Sequence, residues 1–366
     1  MKARQERVQT SRTIEELYCA SDKEIVKILL HDKILQDKEG EICPWCNKGT
    51  LGPLKEQKGR GMQYRCCAKS CHKFVLPHHG HLIFKTGSGS RKTSLQRQAA
   101  ILMLAVHNSS TALAHSVTGR NHKVIEDIAR ANDKCRRLYV EQKEAEIVYG
   151  TDPKNKSWFD VEADEADVRK SLVLDGELSP VDQRLEWEQR GGVQQRGAPE
   201  TLILYRLHPK RTSTRTPGPG PIRDKDWARF AEQHLNNRNV VLHTDGARAY
   251  LLKLPGMLHD HVVHQKKKLT DKDGKSVKRD GKHVWIQPKY TRTLTHVIPG
   301  TKKKLHCVGG TQVIDRFWQH LKSYTKCRAG RVGSMMLRDR IRSAQWAHWY
   351  RMRDLWAKTG EMLSAL

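Results

Sequence analysis

Apolar positions along this chain repeat with two different periods, and each change of period marks a change of part. Thr13-Ile14-Glu15-Glu16 and Ser21-Asp22-Lys23-Glu24 each place a hydroxyl three residues before a glutamate, the signature of a capped helix start. The second leads into Ile25, Ile28, Leu29 and Leu30 at helical spacing, so two short helices are predicted there. Residues 42–76 are cysteine-rich with strand-like pieces, and residues 80–92, with Gly87-Ser88-Gly89-Ser90, read as a linker or short arm. From Ser94 to Tyr139 the period is helical again. Leu95, Ile101, Leu102 and Leu104 form one stripe, and Ile125, Ile128 and Ala129 another.

Strand-like segments follow at Trp158–Ala163, Ser171–Leu174, Leu202–Leu207 and Val240–His243, with a helix predicted over Asp226–Leu235 and a loop over 208–221. Residues 265–300 form a lysine-rich insertion with Asp273-Gly274 as its turn signal. Helices are predicted over Gln312–Tyr324 and Ser334–Leu363. Strands mixed with helices predict an α/β (α+β) class. The parts are a helical segment at 1–40, a cysteine-rich module at 41–78, a helical segment at 92–140, a mixed α/β domain at 156–350 and a helix end at 351–366.

Length and charge narrow the function. At roughly 150 residues per domain, 366 residues imply two to three domains. The 67 basic against 40 acidic side chains leave a formal charge of +27, which points to a polyanionic partner. The longest apolar run, Ala99–Val106, is far shorter than the roughly 20 residues a membrane span needs. The opening residues Met1-Lys2-Ala3-Arg4 lack the apolar core of a secretory signal, so secretion is not expected. Five of the nine cysteines lie between Cys43 and Cys71, a clustering that suits a metal in a reducing compartment better than a disulfide framework.

Cys43-Pro44-Trp45-Cys46 is one tight thiolate pair and Cys66 with Cys71 a second. Four thiolates from two turns suit tetrahedral Zn2+, which favours sulfur and makes no directional demand. Cys67 competes with Cys66 for the third position; Cys66 is preferred because it directly follows Tyr64-Arg65. With four thiolates at hand, His72, His78 and His79 are expected at the surface. A module this small would draw its folding energy from the metal.

Ser109–Ser116, a break at Thr118-Gly119-Arg120, and Asn121–Leu138 read as helix, turn, helix. Such a unit can present its second helix to a DNA groove, with Arg120, His122, Lys123 and Arg130 available to phosphates or base edges.

Three acids stand out by context. Asp164 closes the segment Phe159-Asp160-Val161-Glu162-Ala163-Asp164-Glu165, where Glu162, Glu165 and Asp167 compete with it. Asp245 follows the apolar strand Val240-Val241-Leu242. Asp315 lies early in a helix, seven residues before Lys322 and on the same face, with Phe317, Trp318 and Leu321 expected to pack elsewhere. Metal-assisted phosphoryl transfer needs carboxylates of this kind, because Mg2+ prefers oxygen ligands.

These residues, in this order, resemble the Merlin superfamily of DNA transposases and its bacterial insertion-sequence relatives. Thr244-Asp245-Gly246-Ala247-Arg248-Ala249-Tyr250 resembles the family's second-aspartate motif. Thr311-Gln312-Val313-Ile314-Asp315-Arg316-Phe317-Trp318-Gln319-His320-Leu321-Lys322 resembles the third, which in the family runs Thr-Asn-x-Ile-Glu-x-Phe-Trp-x-x-Leu-Lys. Val161-Glu162-Ala163-Asp164-Glu165 resembles the first. The resemblance covers residues 40–350 and implies an N-terminal zinc ribbon and an RNase H-like catalytic domain. Asp164, Asp245 and Asp315 would bind two Mg2+ or Mn2+ ions, and Lys322 would hold a phosphate. The implied partners are transposon ends and target DNA, with a homo-oligomer assembled on them. In a eukaryotic host the protein would be nuclear, otherwise in the cytoplasm or nucleoid.

The chain departs from the family at Asp315, where a glutamate is usual; other DDE-type families use aspartate there. Gln312 stands in place of Asn, and the lysine-rich insertion lengthens the spacing from Asp245 to Asp315. A transposase-derived DNA-binding protein without catalysis is the second reading. His243, His264 and His306 are expected beside the acids or at the surface. Arg338, Arg340, Arg342, Arg351 and Arg353, interleaved with Trp346, Trp349 and Trp356, predict a helix packed by its tryptophans with its arginines in solvent.

Overall fold

The structure is a computed structural model that describes residues 10–59, 61–87, 93–173, 183–263, 267–271, 275–287, 289–326 and 330–366. Ser88-Gly89-Ser90 of the expected linker, Leu174, His264, Lys266 and the Asp273-Gly274 turn lie outside the described residues. The chain divides into two compact units, Met1–Lys143 with Arg338–Leu366, and Glu144–Leu337.

The first unit opens with α1 (Ile14–Cys19) and α2 (Asp22–His31). Both capping boxes form: Thr13 and Ser21 accept from the N–H groups of Glu16 and Glu24, whose carboxylates accept from the cap N–H groups in return. A small antiparallel sheet follows, with β2 (Gly61–Arg65) between β1 (Lys55–Gln57) and β3 (Phe74–Val75). Then come α3 (Leu95–Val106), α4 (Thr111–Thr118) and α5 (His122–Glu144). Every residue from Gln98 to Val106 is buried, so α3 is a central helix enclosed on all sides, not an amphipathic one.

The second unit is built on a six-stranded mixed sheet. β4 (Phe159–Leu172), β5 (Arg184–Gln195), β6 (Ile203–Arg206), β7 (Lys210–Ser213), β8 (Val240–Thr244) and β9 (Met257–His261) contribute, with spatial order β6-β5-β4-β8-β9 and β7 beside β5. β4, β5 and β6 run antiparallel, and β4, β8 and β9 run parallel. The expected strand at Ser171 is the far end of one long β4, bulged between Asp167 and Arg169. The expected loop 208–221 contains β7.

Alternation along β4 sends Val161 and Ala163 to one face, into a core with Val193, Leu242 and Trp227, Phe230 and Ala231 of α6 (Asp224–His234). Asp160, Glu162 and Asp164 therefore face the other side. The lysine-rich insertion holds two short ladders, β10 (Lys267–Lys268) with β13 (Trp285–Ile286) and β11 (Lys278–Arg279) with β12 (Lys282–His283). The hairpin of β14 (Arg292–Val297) and β15 (Lys304–Gly309) then leads into α7 (Gln312–Thr325), which packs on the acidic face of β4 and β5.

The helix expected over 334–363 is two helices, α8 (Met335–Trp349) and α9 (Leu355–Ala365). Asp354 interrupts it, because its carboxylate accepts from the Trp356 N–H and starts α9 as an N-cap. The arginines of this region are not all in solvent. Arg340 is 1% exposed and pairs with Asp133 of α5 at 3.1 Å and with Asn108 at 2.7 Å. Arg136 stacks on the Trp346 ring at 4.0 Å. Gly360 of α9 lies against the Asp32 carbonyl, where an added Cβ would sit 1.9 Å from the oxygen.

Candidate functional site

Two groups of side chains carry the candidate chemistry predicted from the sequence, thiols in the first unit and carboxylates in the second. In the first, the sulfurs of Cys43, Cys46, Cys66 and Cys71 lie within 4.8 Å of one another. Cys43–Cys71 and Cys46–Cys66 are 3.9 and 3.8 Å apart. Thiolates about 2.3 Å from a tetrahedral zinc would be about 3.8 Å apart, so the four can hold a structural metal such as zinc. Gly49 makes room: a Cβ there would meet Ala68 at 2.6 Å and the Cys66 sulfur at 2.8 Å. The N–H groups of Gly49 and Lys48 bring the Cys46 thiol down to about 6, which favours the ligating thiolate. The Cys66–Cys67 ambiguity resolves on orientation: Cys66 is buried with the other sulfurs and Cys67 is exposed. His72 is exposed, and His79 packs its ring against Trp45.

Also in the first unit, α4 ends at Gly119, whose φ of 61° reverses the chain before α5. His115 and His122 stack across this turn at 4.7 Å, and the Asn121 side chain accepts from the Lys123 N–H. His122, Lys123 and Arg130 are exposed on α5, whose opposite face buries Ile125, Ile128 and Ala129. Arg130 is paired with Glu126 at 2.9 Å; Arg120 is half-buried.

The second set is acidic. Glu162 of β4 pairs in parallel register with His243 of β8; Asp164 lies two residues further along β4, and Asp245 directly follows the end of β8, near enough for its charge to act on Asp164. Asp315 enters from the first turn of α7. Asp164, Glu165, Asp167, Asp315, Trp318 and Lys322, with the 218–221 loop, line an open cleft of about 560 Å³, and Asp245 is not part of that lining. Burial raises the Asp164 carboxyl well above the usual range, and the charges of Glu165, Asp245 and Asp315 push it further.

The competing acids sort by their partners. Glu165 also lines the cleft, but its carboxylate is engaged, accepting from the Ile222 N–H at 2.9 Å and the Tyr250 hydroxyl at 2.6 Å. Glu162 is 1% exposed and accepts from the N–H groups of Val313 and Ile314 at 2.7 and 3.0 Å. It thus caps the start of α7 from a neighbouring strand, a favourable place for a carboxylate. Arg196 holds its other oxygen at 2.7 Å and donates to the Gly310 carbonyl at 2.8 Å. Asp167 lines the cleft beside Asp164, half-buried and raised by that burial.

Trp318 does not pack away from the acids as expected. Its indole N–H donates to Asp164 at 2.9 Å, and its ring lies flat against Gly192 of β5, where a Cβ would come within 2.8 Å. The spacing of Trp318 to Asp315, three residues on one helix, carried that placement in advance. Nothing in the sequence marked Arg196 or the capping role of Glu162, because both depend on strand register. Lys322 is exposed at the cleft edge, where its charge lowers the carboxyl of Asp167 against burial.

His243 is fully buried, with Nε2 2.9 Å from Asp160 and Nδ1 2.9 Å from Asp260. Burial disfavours its charge, but the two carboxylates outweigh that and raise it. His306 is exposed and meets the Thr295 hydroxyl at 2.9 Å. No helix among the described residues is long and apolar enough to cross a membrane. No protein-family model, curated protein or solved structure matches this chain.

Proposed function

We propose that this chain is a DNA transposase of the Merlin type, acting through Asp164, Asp245 and Asp315 in an RNase H-like domain. The observation that carries the reading is that Asp245, just past the end of β8, and Asp315, in the first turn of α7, both lie close enough to Asp164 of β4 to raise its carboxyl, with Asp164 and Asp315 lining one cleft. The donor set fits Mg2+ or Mn2+: hard carboxylate oxygens, mutually repelling, in an open and polar cleft. Such ions, when bound, polarise the attacking and leaving oxygens of a phosphodiester.

The chain's own groups supply the rest. Trp318 fixes the Asp164 carboxylate by its N–H, and Glu162 with Arg196 fixes the helix start that carries Asp315. Lys322 and Lys210 flank the cleft as phosphate contacts. Water attacks phosphorus at the element's end, the P–O3′ bond breaks, and a 3′-hydroxyl and a 5′-phosphate remain. That 3′-oxygen then attacks a target phosphodiester, forming one bond as one breaks. The cysteine module as a zinc ribbon, with His122, Lys123 and Arg130 on α5, recognises the terminal repeats, and nuclear residence follows for a eukaryotic host.

A nicking and strand-transfer assay with Mn2+ or Mg2+ on DNA carrying the gene's own terminal repeats tests this. Asp245→Ala should lose cleavage by a factor of ~10³ or more, several kcal/mol of charge stabilisation, while binding the repeats nearly as well. Equal cutting by parent and variant sinks the assignment. Asp315, one carbon shorter than the family's glutamate, favours the second reading, a DNA-binding descendant without catalysis. Binding without cleavage in both proteins would select it.

A further inference from the structure

Apart from the thiols and the three aspartates, three more ligand types converge at the β9 edge of the mixed sheet, on the face that also carries Glu162. Asp260 stands at the end of β9, His296 on β14 and Cys307 on β15. His296 pairs with Leu305 in the hairpin, so Cys307, two residues on, is its diagonal neighbour on the same face. Asp260 Oδ2 is 3.1 Å from His296 Nε2 and 3.7 Å from Cys307 Sγ, and the three ligand atoms lie within 4.8 Å of one another. Asp260 and Cys307 are buried and His296 nearly so.

Those separations suit three corners of a tetrahedral centre, with water as the fourth ligand. Oxygen or nitrogen ligands at about 2.0–2.1 Å and sulfur at about 2.3 Å would be about 3.3–3.5 Å apart. The mixed O, N and S set suits a borderline-soft divalent ion and disfavours Mg2+ or Ca2+, which want oxygen alone. A carboxylate and a thiolate supply two negative charges against the ion's two positive ones. Asp260 is also supported as metal-bound carboxylates are. Its second oxygen, Oδ1, meets Nδ1 of His243, whose Nε2 is anchored by Asp160. Gly309 leaves the space for it, since a Cβ there would lie 2.6 Å from that oxygen.

We propose that Asp260, His296 and Cys307 bind a zinc ion that fastens the β14–β15 hairpin to β9. The ion is distinct from the one held by the four cysteines and from any cation at the three aspartates. Its position gives it a purpose. The hairpin ends at Gly309, three residues before α7 begins, so the clamp holds the approach to the helix that carries Asp315. The inference does not rest on the transposase reading, since it concerns metal content alone.

The full-length protein, loaded with zinc and passed through metal-free buffer, should retain a second zinc beyond that of the cysteine cluster. Cys307→Ser and His296→Ala should each lose that second ion and keep the first, and Asp164→Asn should keep both. Retention of only one zinc by the parent, or an unchanged count in Cys307→Ser and His296→Ala, overturns the proposal. So does loss of the second ion in Asp164→Asn alone, which would move it to the acidic cleft. Should the hairpin variants misfold, alkylation of the parent decides: Cys307, mapped by peptide mass, should react at least tenfold faster after chelation of zinc. An equal rate with and without zinc refutes the site.

Discussion

Twenty residues separate Cys46 from Cys66, whereas 154 separate Asp164 from the Trp318 that holds it. The thiolate cluster and the acidic cleft both bring like side chains together, but they do so over different stretches of chain. The thiolates come in pairs from tight turns, so each half of the site is fixed by local geometry, and among the described residues the small sheet buries Leu51, Tyr64 and Val75 beside the cysteines at its centre. The acids come from the middle of β4, the residue after β8 and the first turn of α7, and approach one another only because a sheet with its own core exists first. The difference is one of range: the thiol cluster is set by contacts near in sequence beside a small core, whereas the carboxylates approach one another only through the register of a large sheet.

The sharpest way to break that contrast is at the cysteines. Cys66→Ser should unfold the small sheet, because metal binding there is worth on the order of 10 kcal/mol, while the exposed Cys67→Ser should be silent. Zinc content and amide exchange of residues 43–75 would report it; equal behaviour of the two variants would mean the metal does not hold this sheet.

His81 extends the test to local structure without a metal. Its Nδ1 accepts from the N–H groups of Ile83 and Phe84, its Nε2 meets the Ile34 carbonyl, and burial lowers its pKa to about 4. The unfolded chain takes up this proton near pH 6.5 and the native one only near 4, so stability falls as pH drops between those values, then levels. The shift corresponds to about 3 kcal/mol. Urea midpoints from pH 7 to 4, with His81→Gln flattening the slope, would check it.

On the long-range side, Glu162→Gln should cost about 2–3 kcal/mol, since it removes the charge that caps α7 and leaves Arg196 half-buried without its partner. Cleavage should fall further than stability explains, because Asp315 rides on that helix. An unchanged cleavage rate would show that the cap does not position the acid. Gly192→Ala is the mildest probe. The new methyl would press on the Trp318 ring at 2.8 Å and should cost about 1–2 kcal/mol, read as a lowered melting temperature.

Local signals were legible wherever chemistry depends on near neighbours. The hydroxyl-to-glutamate spacing at Thr13 and Ser21 is enough to form a capping box, and both form. The paired cysteines identified the thiolate cluster, leaving only Cys66 or Cys67 to be chosen by burial. The break at Gly119 marked the turn between α4 and α5 because a left-handed backbone there suits glycine. Arg340 misled, because its helix period could not show that Asp133, far earlier in the chain, waits for it inside the unit.

What the amino-acid order determined alone is therefore local: caps, turns, thiolate pairs, the charge of +27 and the strand and helix periods that give a mixed α/β protein. These depend on residues within a few positions of one another, whose geometry the backbone already dictates. The tertiary structure alone decided the rest. It brought Asp245 near Asp164, turned Glu165 toward Tyr250, put Glu162 under the start of α7, and drew Asp260, His296 and Cys307 together. Each of those depends on strand register, and a slip of one residue would send every such side chain to the opposite face of the sheet.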